Sequence, residues 1–344
     1  MAGDQSAFLD RIADPGIREL AARSWPEYQR CRACPRECGA DRLAGERGSC
    51  GASLLGEVFY AGLLVNEERD LNPAYEVFFT GCPLSCRFCY LAEKVRGGAP
   101  GILPLVGHPL FDDPGLREAR TICAVGGEPG VNLLAALYLF GTAGARPRVW
   151  NTNLYYADWV AEAAGEVADV VIGDLHFGND VCAERLANAP AYLATVAQNL
   201  ARAVASGAEV IVRHLVLPGH VECCALPAIR LVAEKFPAVR FHLLGQYLAP
   251  GRAQAGECRE LLGTVSLSEM SFLERAALAA GLRLEPEPRF HEDAPGFETG
   301  LAGQESAARE SGEIIIEPDG RVIVPHLTPG LLAMAQELRE GRHE

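Results

Sequence analysis

The sequence predicts an α/β fold: a partial (β/α)6 TIM-like barrel with a Cys-rich N-terminal extension and a small C-terminal hairpin and helix. Three observations carry this. Short apolar runs rich in β-branched or aromatic residues recur between about residues 75 and 248. Helical patterns separate most of them. Strand and helix in alternation give a parallel sheet with right-handed crossovers, and six strands are too few for the eight of a closed barrel.

The elements follow in order. Residues 5–28 read as short helices broken at "DPG", and residues 31–53 as a Cys-, Gly- and Arg-rich knuckle too polar for a core element. Residues 1–74 therefore form the N-terminal extension, helical and metal-binding. Residues 75–250 form the barrel, its strands being "YEVFFTGC", "ARTICAVGG", "PRVWNTN", "ADVVIGDLHF", "AEVIVRHLVLP" and "VRFHLLGQY". Each ends in polar or Gly residues, as strands of a buried sheet do. The helices between them include "VNLLAALYLFGTAG", "YYADWVAEAAGEV", "APAYLATVAQNLARAVASG" and "VECCALPAIRLVAEKF". Residues 91–118 are irregular, rich in Pro and Gly, and read as a loop over the site. Residues 251–344 form the C-terminal extension: the helix "MSFLERAALAAGL", a loose stretch "RFHEDAPGFETGLAGQESAARESG", a hairpin "EIIIEPDGRVIVP" around Asp-Gly, and a last helix at "TPGLLAMAQELREGR".

Composition narrows the function. With 49% apolar and 22% charged residues over 344, the chain buries a sizeable core. A net charge of −14 without a basic run argues against nucleic acid as substrate. No run of 18 apolar residues suggests a membrane span. The N-terminus lacks the basic start and apolar stretch of a signal peptide, so a soluble cytoplasmic protein is expected. Cysteine is the outlier, with twelve. Seven fall in two tight groups; Cys123, Cys182, Cys223, Cys224 and Cys258 are scattered and read first as small core residues.

The group "GCPLSCRFCY" places Cys82, Cys86 and Cys89 directly after the first barrel strand. Parallel α/β sheets carry their chemistry at the carboxyl ends of strands. Thiolates are soft ligands for iron–sulfur clusters or zinc. Three thiols hold three corners of a four-iron cluster and leave one iron open; zinc with a distant fourth ligand is the alternative.

This loop, with Phe88 before and Tyr90 after the last cysteine, resembles the cluster loop of the radical S-adenosylmethionine (SAM) enzymes. The resemblance covers roughly residues 75–250. It implies a [4Fe–4S] cluster whose open iron is chelated by SAM, and whose electron cleaves SAM to methionine and a 5′-deoxyadenosyl radical that abstracts hydrogen from a substrate. It assigns Gly126, Gly127 and Glu128 of "AVGGEPG" to the SAM amino group. Thr152 and Asn153 of "VWNTN" are similar to the Thr-Asn of glycyl-radical activating enzymes, such as that of pyruvate formate-lyase. "GDLHF" is similar to their Asp-Leu-Lys, keeping Asp174 but placing His176 where they carry lysine, which puts a fixed cation for the SAM carboxylate in doubt. "VRHLVLPG" is similar to their Arg-x-x-Val-x-Pro-Gly and offers Arg213 as the carboxylate partner. Gln246 and Tyr247 of "LLGQY" would face the adenine.

Upstream, "CRACPRECGADRLAGERGSCGA" carries Cys31, Cys34, Cys38 and Cys50. Four thiols can close a site. The segment resembles the N-terminal Cys-rich stretch of one branch of activase-like radical SAM proteins. A second [4Fe–4S] cluster or a structural zinc fits the ligand set, the spacing leaning towards the cluster. The resemblance implies an activating-enzyme-like oxidoreductase that takes hydrogen from a protein glycine, with a reducing partner such as flavodoxin or ferredoxin. A peptide or small-molecule substrate is the alternative, because simple activases lack both extensions. An iron–sulfur electron carrier or a zinc-stabilised binding module is the non-enzyme reading. No second hydrogen donor stands out; Cys123, Cys223 and Cys224 are candidates.

Overall fold

The computed structural model describes residues 4–96 and 100–285, together with the backbone pairs 315–316 and 322–323. It has two compact units, Met1–Glu287 and Pro288–Glu344. Among its described residues the first holds nine strands: β1 (Glu57–Leu64), β2 (Ala74–Phe79), β3 (Leu103–Pro104), β4 (Thr121–Gly126), β5 (Arg148–Thr152), β6 (Val170–Asp174), β7 (Glu209–Leu215), β8 (Arg240–Leu244) and β9 (Arg283–Leu284). They form one sheet in the order β3-β1-β2-β4-β5-β6-β7-β8-β9.

All six expected strands are present as β2 and β4 to β8, each parallel to the next. Short β9 extends the parallel run beyond β8. The expectation missed β1, which pairs antiparallel with β2, and β3, which pairs antiparallel with β1. "EVFYAGLL" lies at the sheet's margin with most of its side chains only partly covered, so it lacks the unbroken apolar run of a buried parallel strand.

The sheet curls without closing its backbone ladder. The segment 65–72, between β1 and β2, ties its two sides together through side chains. Glu67 accepts from Gln246 at 2.8 Å, and Asp70 pairs bidentately with Arg240 at 2.8 and 2.9 Å. Glu68, 2% exposed, lies 3.6 Å from His242 and 3.8 Å from Arg213. Side chains alternate across a strand. Cys123, Val149, Val170, Ile172 and Ile211 thus meet on one face as a small cluster, joined by Leu71. Continuing the alternation puts Asn151, Asp174 and Arg213 above them, towards the carboxyl ends of β5, β6 and β7.

Helices cover the opposite face. Helix Leu133–Thr142 reads "LLAALYLFGT" and is buried almost all round. It lies between the sheet and helix Pro15–Ser24, where Gly141 leaves room for Ile12 and Ile17. The early helices form at Gln5–Leu9 and Pro15–Ser24, each capped by an aspartate, Asp4 and Asp14. Residues 31–53 form neither helix nor strand. The stretch 91–118 is irregular as expected, with short turns of helix at Ala92–Val95 and Pro114–Glu118. The expected helix near residue 270 spans Leu267–Ala279 behind a Ser266–Glu269 capping box.

In the second unit, Ile315–Ile316 and Val322–Ile323 pair antiparallel, the ladder of the expected hairpin. Its Asp-Gly turn, the loose stretch before it and the last expected helix lie outside the described residues. Among the described residues, no helix is long and apolar enough to cross a membrane.

Candidate functional site

The loop carrying Cys82, Cys86 and Cys89 leaves the carboxyl end of β2 and is held on three sides. Gly81 N–H donates to Val95 O at 2.7 Å, and Cys82 N–H to Cys50 O at 3.0 Å. Ser85 and Arg87 donate to Ala187 O and Leu186 O, at the end of helix Asp180–Ala187, at 2.9 and 2.8 Å. Gly126, which ends β4, and Gly127 after it press against this loop's start. A Cβ on Gly127 would stand 2.0 Å from Gly81 O, and one on Gly126 2.5 Å from Phe79 N, so only glycine fits.

The three thiols are partly buried and feel one another. Burial, then the charges of Cys86 and Glu128, push Cys82 well above the ordinary thiol range. Burial and Cys89 do the same to Cys86, and burial raises Cys89. Such thiols stay neutral unless a cation draws them into thiolate form, which a coordinating metal does outright. Three soft donors in that setting fit an iron–sulfur cluster.

Glu128 is fully buried and organises the strand ends. Its Oε1 accepts from Gly130 N–H and from Thr152 Oγ1, both at 2.7 Å; its Oε2 accepts from Asn153 N–H at 2.8 Å. Burial lifts its carboxyl to about 7, against the pull of these bonds. Three bonds leave one of roughly four acceptor directions open. Thr152 also accepts from Leu154 N–H at 2.9 Å. Asn153 reaches the cysteine loop: its Nδ2 lies 3.4 Å from Cys82 Sγ, and its Oδ1 accepts from Tyr155 N–H at 2.9 Å.

Asp174 and Arg213 are register neighbours on β6 and β7. Arg213 Nε and Nη2 donate to the two Asp174 oxygens at 2.8 and 3.1 Å, and Nη2 also donates to Asn151 Oδ1 at 2.9 Å. Burial works against its charge, but Asp174 and Glu68 more than offset it, and its pKa is raised. Among the described residues Nη1 meets Glu68 at 3.8 Å, beyond hydrogen-bond range, so its two N–H groups can serve a ligand. His176 stacks edge-on against Phe88 with ring centres 5.7 Å apart. Burial lowers its pKa, so it is a neutral ring near neutrality. Phe88 is buried, while Tyr90 is 76% exposed. Gln246 is exposed and bonded to Glu67, and Tyr247 donates its hydroxyl to Leu261 O at 2.7 Å.

The N-terminal cysteines also come together. Cys31, Cys34 and Cys50 are buried and Cys38 is exposed. Burial raises Cys34 to about 12, with Cys50, Cys31 and Cys38 adding to the rise. Buried Arg42 lies beside them: Nη1 is 3.9 Å from Cys31 Sγ and donates to Val131 O at 2.8 Å, while Nη2 donates to Ser53 O. A buried guanidinium suits a site that gathers thiolate charge. Four converging thiols fit a cluster or a zinc equally in donor type.

Two groups escaped the sequence reading. Glu76 on β2 is 5% exposed, accepts from Asn66 Nδ2 at 2.7 Å, and is raised to about 7 by burial. Cys182, His220, Cys223 and Cys224 also meet, with all four donor atoms within 4.8 Å of one another. The local signal for that group was "HVECC", a histidine three and four residues before two cysteines.

No protein-family profile matches the chain. It is 28% identical over 232 residues to the uncharacterized protein MJ0674 of Methanocaldococcus jannaschii, covering 64% of this chain and 66% of that protein. Among solved structures it is similar to SuiB of Streptococcus suis bound to S-adenosylmethionine: 12% identity, TM-score 0.42, 59% of this chain and 47% of SuiB. A domain of pyruvate-formate lyase-activating enzyme from Bacteroides vulgatus gives 15% identity, TM-score 0.36, and 47% and 95% of the two chains. QueE from Escherichia coli gives 13% identity, TM-score 0.38, and 67% and 92%. The chain thus spans just under two thirds of the curated relative's length and about half of SuiB's.

Proposed function

We propose that the chain is a radical SAM enzyme. The observation that supports this most is Asn153. It directly follows β5, is held by Glu128 of the Gly-Gly-Glu turn after β4, and reaches Cys82 of the loop after β2. Segments from three strands that separately resemble the family's motifs form one connected unit.

A [4Fe–4S] cluster on Cys82, Cys86 and Cys89 would supply the electron that cleaves SAM to a 5′-deoxyadenosyl radical. The chain's own residues bind and orient. The open acceptor direction of Glu128 suits the SAM ammonium, and the Arg213 Nη1 donors suit its carboxylate. Thr152 and Asn153 keep β5 fixed against the loop. His176, neutral and packed on Phe88, contributes shape rather than the fixed charge of a lysine. Gln246 and Tyr90, both exposed, are assigned in this reading to the adenine or a substrate. The four N-terminal thiols would hold a second [4Fe–4S] cluster or a zinc, and Cys82 N–H on Cys50 O joins that segment to the active loop.

We further propose a glycine of a partner protein as substrate, and a cytoplasmic reductant of the flavodoxin or ferredoxin type. The strand ends "VWNTN", "GDLHF" and "VRHLVLPG" support the activase-like reading. The three-part division at residues 74 and 250 is kept as a functional one. The reading is tested by SAM binding to anaerobically reconstituted protein, followed by the electron paramagnetic resonance of the reduced cluster. SAM should perturb the wild-type signal, and Cys86→Ala should lose the part of the signal that responds to SAM. A fully loaded cluster at Cys82, Cys86 and Cys89 that SAM leaves unperturbed would overturn the proposal.

A further inference from the structure

We propose that Cys182, His220, Cys223 and Cys224 form a closed, four-coordinate zinc site, separate from the seven cysteines already described. The donors come from two places. Cys182 sits in the first turn of helix Asp180–Ala187, after β6, where Asn179 Oδ1 accepts from its N–H at 2.7 Å. His220, Cys223 and Cys224 sit at and within a π-turn, Val221–Ala225, after β7. Spacings of three and four residues put all three on one side of that turn, and π-turns often mark functional positions.

Four of the six distances between donor atoms are close to the edges of a tetrahedron around one ion, and the other two are at most 4.8 Å. His220 Nδ1 lies 3.6 Å from Cys182 Sγ, 3.2 Å from Cys223 Sγ and 3.8 Å from Cys224 Sγ, and the sulfurs of Cys182 and Cys223 are 3.7 Å apart. Zinc bonds of about 2.3 Å to sulfur and 2.0–2.1 Å to nitrogen give tetrahedral edges of about 3.8 Å between sulfurs and about 3.6 Å from sulfur to nitrogen. With every donor within 4.8 Å of the others, the space suits a single ion and not a four-iron cube. Thiolate and imidazole together are the ligands of structural zinc.

The surroundings complete the site. When Nδ1 faces the metal, Nε2 carries the proton, and Glu260 Oε1 lies 3.5 Å from it. A carboxylate behind a metal-bound histidine is the usual outer partner. Arg185 Nη2 stands 3.2 Å from the same Nε2 and, being only a donor, would have to release it once Nε2 carries the proton; its Nη1 already pairs with Glu260 at 2.6 Å. Asn179 Nδ2 lies 3.7 Å from Cys224 Sγ and donates to Cys223 O at 2.5 Å.

The consequence is mechanical. The ion pins the turn after β7 to the start of helix Asp180–Ala187, and the far end of that helix holds the loop of Cys82, Cys86 and Cys89. The test uses the whole chain and Zn²⁺ as probe. Cys223 is partly exposed, so its alkylation by iodoacetamide in metal-free, reduced protein can be timed and located by peptide mass. Excess Zn²⁺ should slow it at least ~10-fold. An unchanged rate, or a Cys182–Cys223 disulfide forming despite zinc, would overturn the site. Independently, folded Cys223→Ser protein should hold about one zinc fewer per chain with its iron unchanged; an unchanged zinc content contradicts the proposal.

Discussion

Asn153 donates its side-chain amide to the thiol of Cys82 across 3.4 Å. The contact joins the end of β5 to the cysteine loop after β2, and Glu128 fixes it by accepting the Asn153 backbone N–H. Hydrogen bonds to ligand sulfurs help set the reduction potential of an iron–sulfur cluster. Asn153→Ala removes this donor and the turn bond to Tyr155. The cluster potential should fall, and stability should drop by about 1 kcal/mol. A redox titration showing the wild-type potential would mean that the contact does not act on the cluster.

Among the described residues, Arg213 is the cation paired with Asp174, and it lies 3.8 Å from buried Glu68. Arg213→Ala leaves Asp174 without that partner and removes a nearby positive charge from Glu68; breaking such a partly buried pair costs about 3 kcal/mol. Arg213→Lys should recover part of that loss, since lysine keeps the charge but not the fork. Urea unfolding of both variants checks this, and wild-type stability in Arg213→Ala would refute it.

Glu76 makes stability depend on pH. Burial raises its carboxyl from an ordinary 4.5 to about 7, so the folded state holds the proton more tightly. The resulting stabilisation is complete below the unfolded value and is lost as pH rises through the folded one. The size is roughly 3 kcal/mol for a shift of this order. Glu128 acts in the same direction. Glu76→Gln should flatten the decline between pH 5 and 7.5 in urea titrations at constant metal loading. A decline as steep as in the wild type would assign the effect elsewhere.

Gly48 sits against the N-terminal thiols, and a Cβ there would come within 2.4 Å of Cys38 Sγ. Gly48→Ala should therefore displace Cys38 and lower the metal held by Cys31, Cys34, Cys38 and Cys50. Metal held by Cys82, Cys86 and Cys89 should be unchanged. Elemental analysis on the variant, with and without Cys86→Ala, separates the two.

The barrel strands were legible because a strand buried on both faces must be apolar along its length, as "ADVVIGD" and "AEVIVRHL" are. β1 was not, since a half-covered marginal strand carries no such run. Cys82, Cys86 and Cys89 announced themselves by spacing. Cys182 did not, because its partners lie about forty residues on and only the packing of the two crossover helices brings them within 4.8 Å. The bidentate pairing of Asp174 with Arg213 was equally hidden. The sequence offers each as a separate ligand contact, and only the β6–β7 register shows that they face each other.

The central claim is tested most directly by product. Anaerobically reconstituted protein, given SAM and dithionite, should release 5′-deoxyadenosine and methionine, and Cys86→Ala should release neither. No 5′-deoxyadenosine from protein whose Cys82, Cys86 and Cys89 cluster is intact and SAM-accessible would contradict the account.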